Sequence, residues 1–250
     1  MIELIEENME DINTQLVLIS GESSSGKSAS LRNIPNQERW MYLNCEAGKR
    51  LPFKNSFKSA KVVDPYQVHG SIQHAIDNPA SWDGAIIDTV TFLMDMFESV
   101  YIIGQHDTQK AWGAYAQFFK NLMQDYVVRF NKPVIILGHT KSELDEAAMT
   151  MRTQVPVKGS LKNNGIEAYF STVVSTKRMP INKLEPYHSE LLNITDEDKD
   201  LGYKHVFQTR PTKETVGERI RSPMGLFSRE QTYMDNDANL LLEHLRRFYA

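Results

Sequence analysis

The sequence predicts an α/β chain, with a mostly parallel sheet flanked by helices that turns antiparallel toward its C-terminal part. Three observations carry this expectation. Gly21-Glu22-Ser23-Ser24-Ser25-Gly26-Lys27-Ser28 is a complete GxxxxGKS phosphate loop, and it follows directly on the apolar run 15–20. Short β-rich runs recur at 16–19, 40–43, 61–63, 85–87, 134–137 and 172–175, with helical patterns between the early ones, as crossover helices in a parallel sheet require. Later, 172–176 and 205–209 read as antiparallel strands around a polar insertion at 183–202.

Each element has a local reason. The run LVLIS is the strand that feeds the loop, and ASLRNI is the start of a helix beginning near Lys27. A glycine turn between them aims backbone N–H groups of residues Gly21 to Ala29 at phosphate oxygens, and the helix N-terminus adds positive potential. Lys27 supplies a point charge for the β- and γ-phosphates, and the Ser28 hydroxyl is placed to hold Mg²⁺. Without that flanking context the motif would be a serine-rich surface turn. The strand AII ends in Asp88, placed to hold the metal's water opposite Ser28 or, in the plainer reading, to cap the next helix; Thr89 is a weaker candidate. The strand at 40–43 leads at once to Asn44-Cys45-Glu46, where a carboxylate can take a proton from an attacking water or stay an ordinary solvated acid. Residues 109–130 repeat aromatic and aliphatic side chains every three or four positions, a core helix. Asp235 to Asp237 cap a last helix carrying Leu240, Leu241, Leu242, Leu245 and Phe248.

Composition sets the bounds. The 250 residues, 41% hydrophobic and 24% charged, suit a single α/β domain with an arm at 1–14, a core at 15–227 and a helical segment at 228–250. No apolar run is long enough to span a membrane, and the acidic start lacks a basic leader, so a cytoplasmic protein without membrane contact is expected. One cysteine, Cys45, excludes an internal disulfide, and no Cys/His spacing suggests zinc. A net charge of −4 argues against a surface that coats nucleic acid everywhere, so any such contact is local. Basic residues gather late, at Lys204, Arg210, Lys213, Arg219 and Arg221.

At YLNCEAG and AIIDTV the chain resembles the RecA-like P-loop ATPases, which carry a catalytic glutamate after the strand following the phosphate loop and then an apolar strand ending in Asp-Ser or Asp-Thr. The run VIILGHT resembles the strand ending in that family's γ-phosphate sensor, which puts His139 in the sensor's place. The resemblance implies a RecA-like sheet, ATP with Mg²⁺, and catalysis by Glu46. It implies a mobile DNA-binding loop at 141–162, with Lys141, Arg152, Lys158 and Lys162 as phosphate contacts, and a basic pair, Arg219 and Arg221, that reaches a neighbour's γ-phosphate in a ring or filament. The nearest picture is a compact phage-encoded member acting on single-stranded DNA in annealing, recombination or replication, in a bacterial host's cytosol, with a single-strand-binding or replication protein as a further partner. Against it stand a helicase loader or partner-regulating switch, which needs little turnover, and a nucleoside or nucleotide kinase, which needs an arginine-rich lid. The residues themselves leave His139 open as a plain structural histidine, the arginines as a solvated edge and 141–162 as a surface loop diluted by Glu143, Asp145 and Glu146.

Overall fold

The computed structural model describes residues 13–146 and 149–250, so most of the expected arm at 1–14 lies outside the described residues. Its strands are β1 (Leu16–Gly21), β2 (Trp40–Asn44), β3 (Lys58–Lys61), β4 (Gly84–Asp88), β5 (Val134–His139), β6 (Lys141–Asp145), β7 (Thr150–Gln154), β8 (Thr172–Pro180), β9 (Tyr203–Gln208) and β10 (Tyr233–Asp235). Eight of them form one sheet in the order β10-β9-β8-β1-β5-β4-β2-β3. From β8 to β3 every pairing is parallel, and β9 and β10 then add antiparallel at the β8 side. The expected α/β architecture is therefore the observed one.

Alternation along the strands divides the core into two layers. Leu18, Leu43, Ile87, Ile136 and Val173 face α1 (Tyr66–Asp77), α2 (Val90–Tyr101) and α3 (Thr108–Asn121), whose Ile72, Phe97 and Phe119 are buried against them. Val17, Ile19, Tyr42, Ile86, Ile135 and Leu137 face the other way, onto Leu31 and onto Leu241 and Leu245 of the C-terminal helix Ala238–Tyr249. The two faces are unequally covered. Three full helices lie on the first, and on the second one long helix and short turns do the work.

Three expectations shift in detail. The segment after the phosphate loop is a six-residue 3-10 helix, Ser28–Asn33, in which the Ser30 hydroxyl donates to the Lys27 carbonyl at 2.6 Å, the local side-chain-to-backbone bond that competes with a regular helix. The strand expected at 61–63 pairs at Lys58–Lys61, and β3 is exposed along its length at the sheet's edge. The expected loop at 141–162 contains the β6–β7 hairpin, a separate two-stranded sheet. The helix expected at 109–130 is present as α3, which runs through a π turn, Leu122–Tyr126, into Val127–Phe130. Asp237 caps the last helix through the N–H groups of Asn239 and Leu240.

Because Leu241 is fully buried on the thinly covered face, Leu241→Ala is expected to cost about 2–5 kcal/mol of unfolding free energy. The exposed Leu201 serves as control, with a change within about 0.5 kcal/mol for Leu201→Ala; chemical denaturation of both variants checks the contrast.

Candidate nucleotide site

The parallel strands end level with one another, which gathers the polar residues that follow each apolar run. Gly21 lies opposite His139, Leu137 opposite Asp88, and Asp88 opposite Asn44. A cavity of about 580 Å³ opens at this carboxyl edge, lined by Lys27, Ser28, Glu46, Asp88 and His139 among others. Ligands collect at this edge of an open parallel sheet.

Lys27 is buried, and its Nζ donates to the carbonyls of Gly21 at 2.9 Å and Glu22 at 2.7 Å. Burial lowers its pKa to about 8, against the opposing pull of Asp88 and Glu46. Asp88 is almost completely buried; one carboxylate oxygen, Oδ2, accepts from the Ser28 hydroxyl at 3.1 Å and from the Tyr42 hydroxyl at 2.6 Å. Its other oxygen, Oδ1, is buried with no hydrogen-bond partner among the described residues. Burial raises the Asp88 pKa, the Glu46 charge adds to that, and the two hydroxyl bonds oppose it.

Glu46 is placed by the loop that leaves β2. The Asn44 side chain accepts the Glu46 N–H at 3.0 Å, and the Cys45 N–H bonds the Asp88 carbonyl at 2.7 Å. The Glu46 carboxylate bonds His139 Nε2 at 3.0 Å and Lys49 Nζ at 3.0 Å. The His139 bond, with help from Lys49, holds the Glu46 pKa down to about 2 despite partial burial. Cys45 beside it is buried and its thiol is pushed up to about 12 by burial first and then by Asp88 and Glu46, so it is a small packing residue and no nucleophile.

Mg²⁺ fits this donor set. A hydroxyl and a carboxylate oxygen 3.1 Å apart, with a second carboxylate oxygen unpartnered, are the hard ligands it prefers, and it completes its shell with water and phosphate. Accordingly, no trio of His, Cys, Asp and Glu able to hold a metal alone occurs among the described residues. Ser28 and Asp88 are the residues that would hold the ion, whose chemistry is to neutralise charge on the β- and γ-phosphate oxygens.

The family model of the AAA domain matches residues 13–219. The chain belongs to the AAA-domain family of P-loop NTPases. Membership implies binding and hydrolysis of ATP, usually with Mg²⁺, and the matched span holds Lys27, Ser28, Glu46, Asp88 and His139 together. Comparison with curated proteins gives no match. No helix among the described residues is long and apolar enough to cross a membrane.

Other expected site residues lie elsewhere. Arg219 pairs with the buried Glu167 at 3.5 Å and donates to the Asn164 carbonyl, whereas Arg221 is exposed and bridges β8 through its backbone. Neither lines the cavity of its own chain. Lys141 pairs with Glu143 at 2.8 Å, Arg152 with Asp145 and Lys158 with Glu98, and Lys162 is exposed on the short helix Leu161–Asn164.

Several cavity residues carried no sequence signal. Tyr42 reads as one more apolar strand residue, and it shares a sheet face with Asp88 two positions along, which is how its hydroxyl reaches the carboxylate. Lys49, His205 and Asn236 also line the cavity. His205 and Asn236 come from β9 and the β10–helix junction, far from the loop in sequence.

The Lys27 geometry has a pH signature. A bound triphosphate stabilises the ammonium, so the lysine pKa is higher in the complex than its value of about 8 without it. Affinity is therefore expected to be flat below pH 8 and to fall by up to about tenfold per pH unit above it, until the complex also titrates. Titration of AMPPNP, a nonhydrolysable ATP analogue, between pH 6.5 and 10 checks this, and Lys27→Met is expected to bind weakly with no such slope.

Proposed function

We propose that this protein is a RecA-like, DNA-stimulated ATPase that acts on single-stranded DNA in phage-type annealing, recombination or replication, assembled as a ring or filament of identical subunits. The observation that carries the reading is the bond from His139 to Glu46. His139 ends β5, and one residue later the chain enters the β6–β7 hairpin, so a side chain touching the proposed catalytic carboxylate is separated from that surface element by a single residue, Thr140.

In this reading Glu46 accepts the proton of the water that attacks the γ-phosphate. A carboxylate held near a pKa of 2 is a weak base, and parting from His139 raises its basicity. Movement of the hairpin and release of Glu46 are then one event. The hairpin suits a single strand on both faces. Period-two alternation puts Lys141, Glu143, Asp145, Arg152 and Gln154 on one side and Ser142, Leu144, Met151 and Thr153 on the other. Leu144, Met149 and Met151 are exposed apolar side chains against which bases can lie, and the cations exchange their carboxylate partners for phosphates. Since Arg219 is anchored within its own chain, Arg221 is the arginine proposed to reach a neighbour's γ-phosphate.

The partner-regulating switch keeps one observation in its favour, namely that Lys141, Arg152 and Lys158 already carry carboxylate partners. ATPase rates with and without single-stranded DNA separate the two readings. Stimulation that weakens with added salt is expected, and a rate indifferent to DNA favours the switch.

Two substitutions test the catalytic assignment. Glu46→Gln is expected to keep AMPPNP affinity and to lose about 10²-fold or more in turnover. His139→Ala is expected to hydrolyse ATP at a rate that DNA no longer changes. For the trans arginine, Arg221→Ala chains are expected to be inactive alone and to recover activity when co-assembled with Lys27→Ala chains, because an intact loop then meets an intact arginine; no recovery in proven co-assemblies places Arg221 outside the site.

A further inference from the structure

The phosphate loop of this chain is followed by only six residues of 3-10 helix, Ser28–Asn33, which buries Ser30 and Leu31. So short an element gives the loop little support of its own. Support comes instead from the other end of the chain. His205 Nδ1 lies 2.7 Å from the Ser25 carbonyl oxygen, and Asn236 Nδ2 donates to the Gly26 carbonyl at 2.9 Å. Each partner is a carbonyl oxygen, which only accepts, so the histidine carries its proton on Nδ1 and the asparagine presents its amide NH₂. Nearby, Arg32 donates to the Asn236 carbonyl at 2.8 Å and Asn33 to the Asp237 carboxylate at 2.5 Å, tying the 3-10 helix to the cap of the C-terminal helix.

A trans peptide is planar, with its C=O and N–H pointing opposite ways. Fixing the Ser25 carbonyl therefore fixes the N–H of Gly26, and fixing the Gly26 carbonyl fixes that of Lys27. Among the described residues neither N–H has a protein acceptor, and Gly26 and Lys27 both line the cavity. Two successive N–H groups without a protein acceptor are the donors from which an anion nest is built. The clamp also explains the glycine. Gly26 sits at φ +111°, and a Cβ there would meet Asn236 Nδ2 at 2.7 Å and His205 Nδ1 at 3.1 Å.

We propose that His205 and Asn236 are positioning residues that hold the two phosphate-binding peptides of the loop in their anion-binding orientation, so that the C-terminal part of the chain presets nucleotide affinity. Of the two, His205 lies within the residues that match the AAA-domain model and Asn236 lies beyond them. The preset orientation spares a bound triphosphate the cost of ordering the loop. Neither residue is a catalytic residue; both act through the backbone.

The proposal rests on the reading that this loop binds a triphosphate, and Lys27→Ala tests that reading separately. AMPPNP affinity is measured for full-length wild type, Lys27→Ala, His205→Phe, His205→Gln and Asn236→Asp, with melting temperature alongside. His205→Phe keeps a ring without the donor, and Asn236→Asp keeps the shape without the donor. His205→Phe is expected to weaken binding about five- to tenfold, one hydrogen bond's worth, and Asn236→Asp by more, because its carboxylate also repels the phosphates. His205→Gln keeps an N–H without the ring and is expected to restore most of the affinity. Equal loss in His205→Phe and His205→Gln, or unchanged affinity in His205→Phe and Asn236→Asp, overturns the clamp. Unchanged affinity in Lys27→Ala overturns the nucleotide reading beneath it.

Discussion

Everything at the site depends on one constraint, the level termination of parallel strands at a single sheet edge. Hydrogen-bond register sets Gly21 against His139 and Asp88 against Asn44, so four residues that are scattered through more than a hundred positions of sequence come within reach of one ligand. The apolar residues just before each terminus hold that register. Ile19, Leu43, Ile87 and Leu137 are all fully buried, and a slip of one residue would turn them to the opposite layer. The hydrophobic core thus positions the polar edge.

That edge concentrates charge that water would otherwise screen. Lys27 and Asp88 are both buried, and burial moves each pKa toward its neutral form. A triphosphate with a divalent ion supplies the opposite charges that both groups lack. Glu46 is the exception, because His139 and Lys49 already hold it ionised. The site therefore offers a phosphate ligand groups under electrostatic tension, while its proposed base is restrained by His139 and Lys49.

How much of this can be read from sequence follows from how local each signal is. The phosphate loop is eight consecutive residues after an apolar strand, Asp88 and His139 each end such a strand and Glu46 follows one by two residues, so their gathering at one edge was readable once the sheet was. Tyr42 was not, because its contact with Asp88 depends on neighbouring-strand register. His205 and Asn236 were still less so: both meet the loop through its backbone, which leaves no mark in the side chains that flank the motif. The hairpin at 141–154 hid for another reason. Its two faces are polar and mixed, Lys-Ser-Glu-Leu-Asp against Thr-Met-Arg-Thr-Gln, so the apolar alternation that betrays a half-buried strand is missing. Arg219 looked available in an extended basic pair, and a buried glutamate fifty-two positions earlier claims it.

The account's central claim is that Lys27, Ser28, Glu46 and Asp88 surround one nucleotide-metal complex. Crystals grown with AMPPNP and Mn²⁺ in place of Mg²⁺ test it directly, since anomalous scattering locates the metal independently of the protein. The expected result is one strong peak about 2.1 Å from the Ser28 hydroxyl oxygen, with Asp88 beside it, Lys27 on the β- and γ-phosphates and Glu46 facing the terminal phosphate. A triphosphate seated outside the loop 21–28, or a metal peak remote from Ser28 and Asp88, would contradict the account.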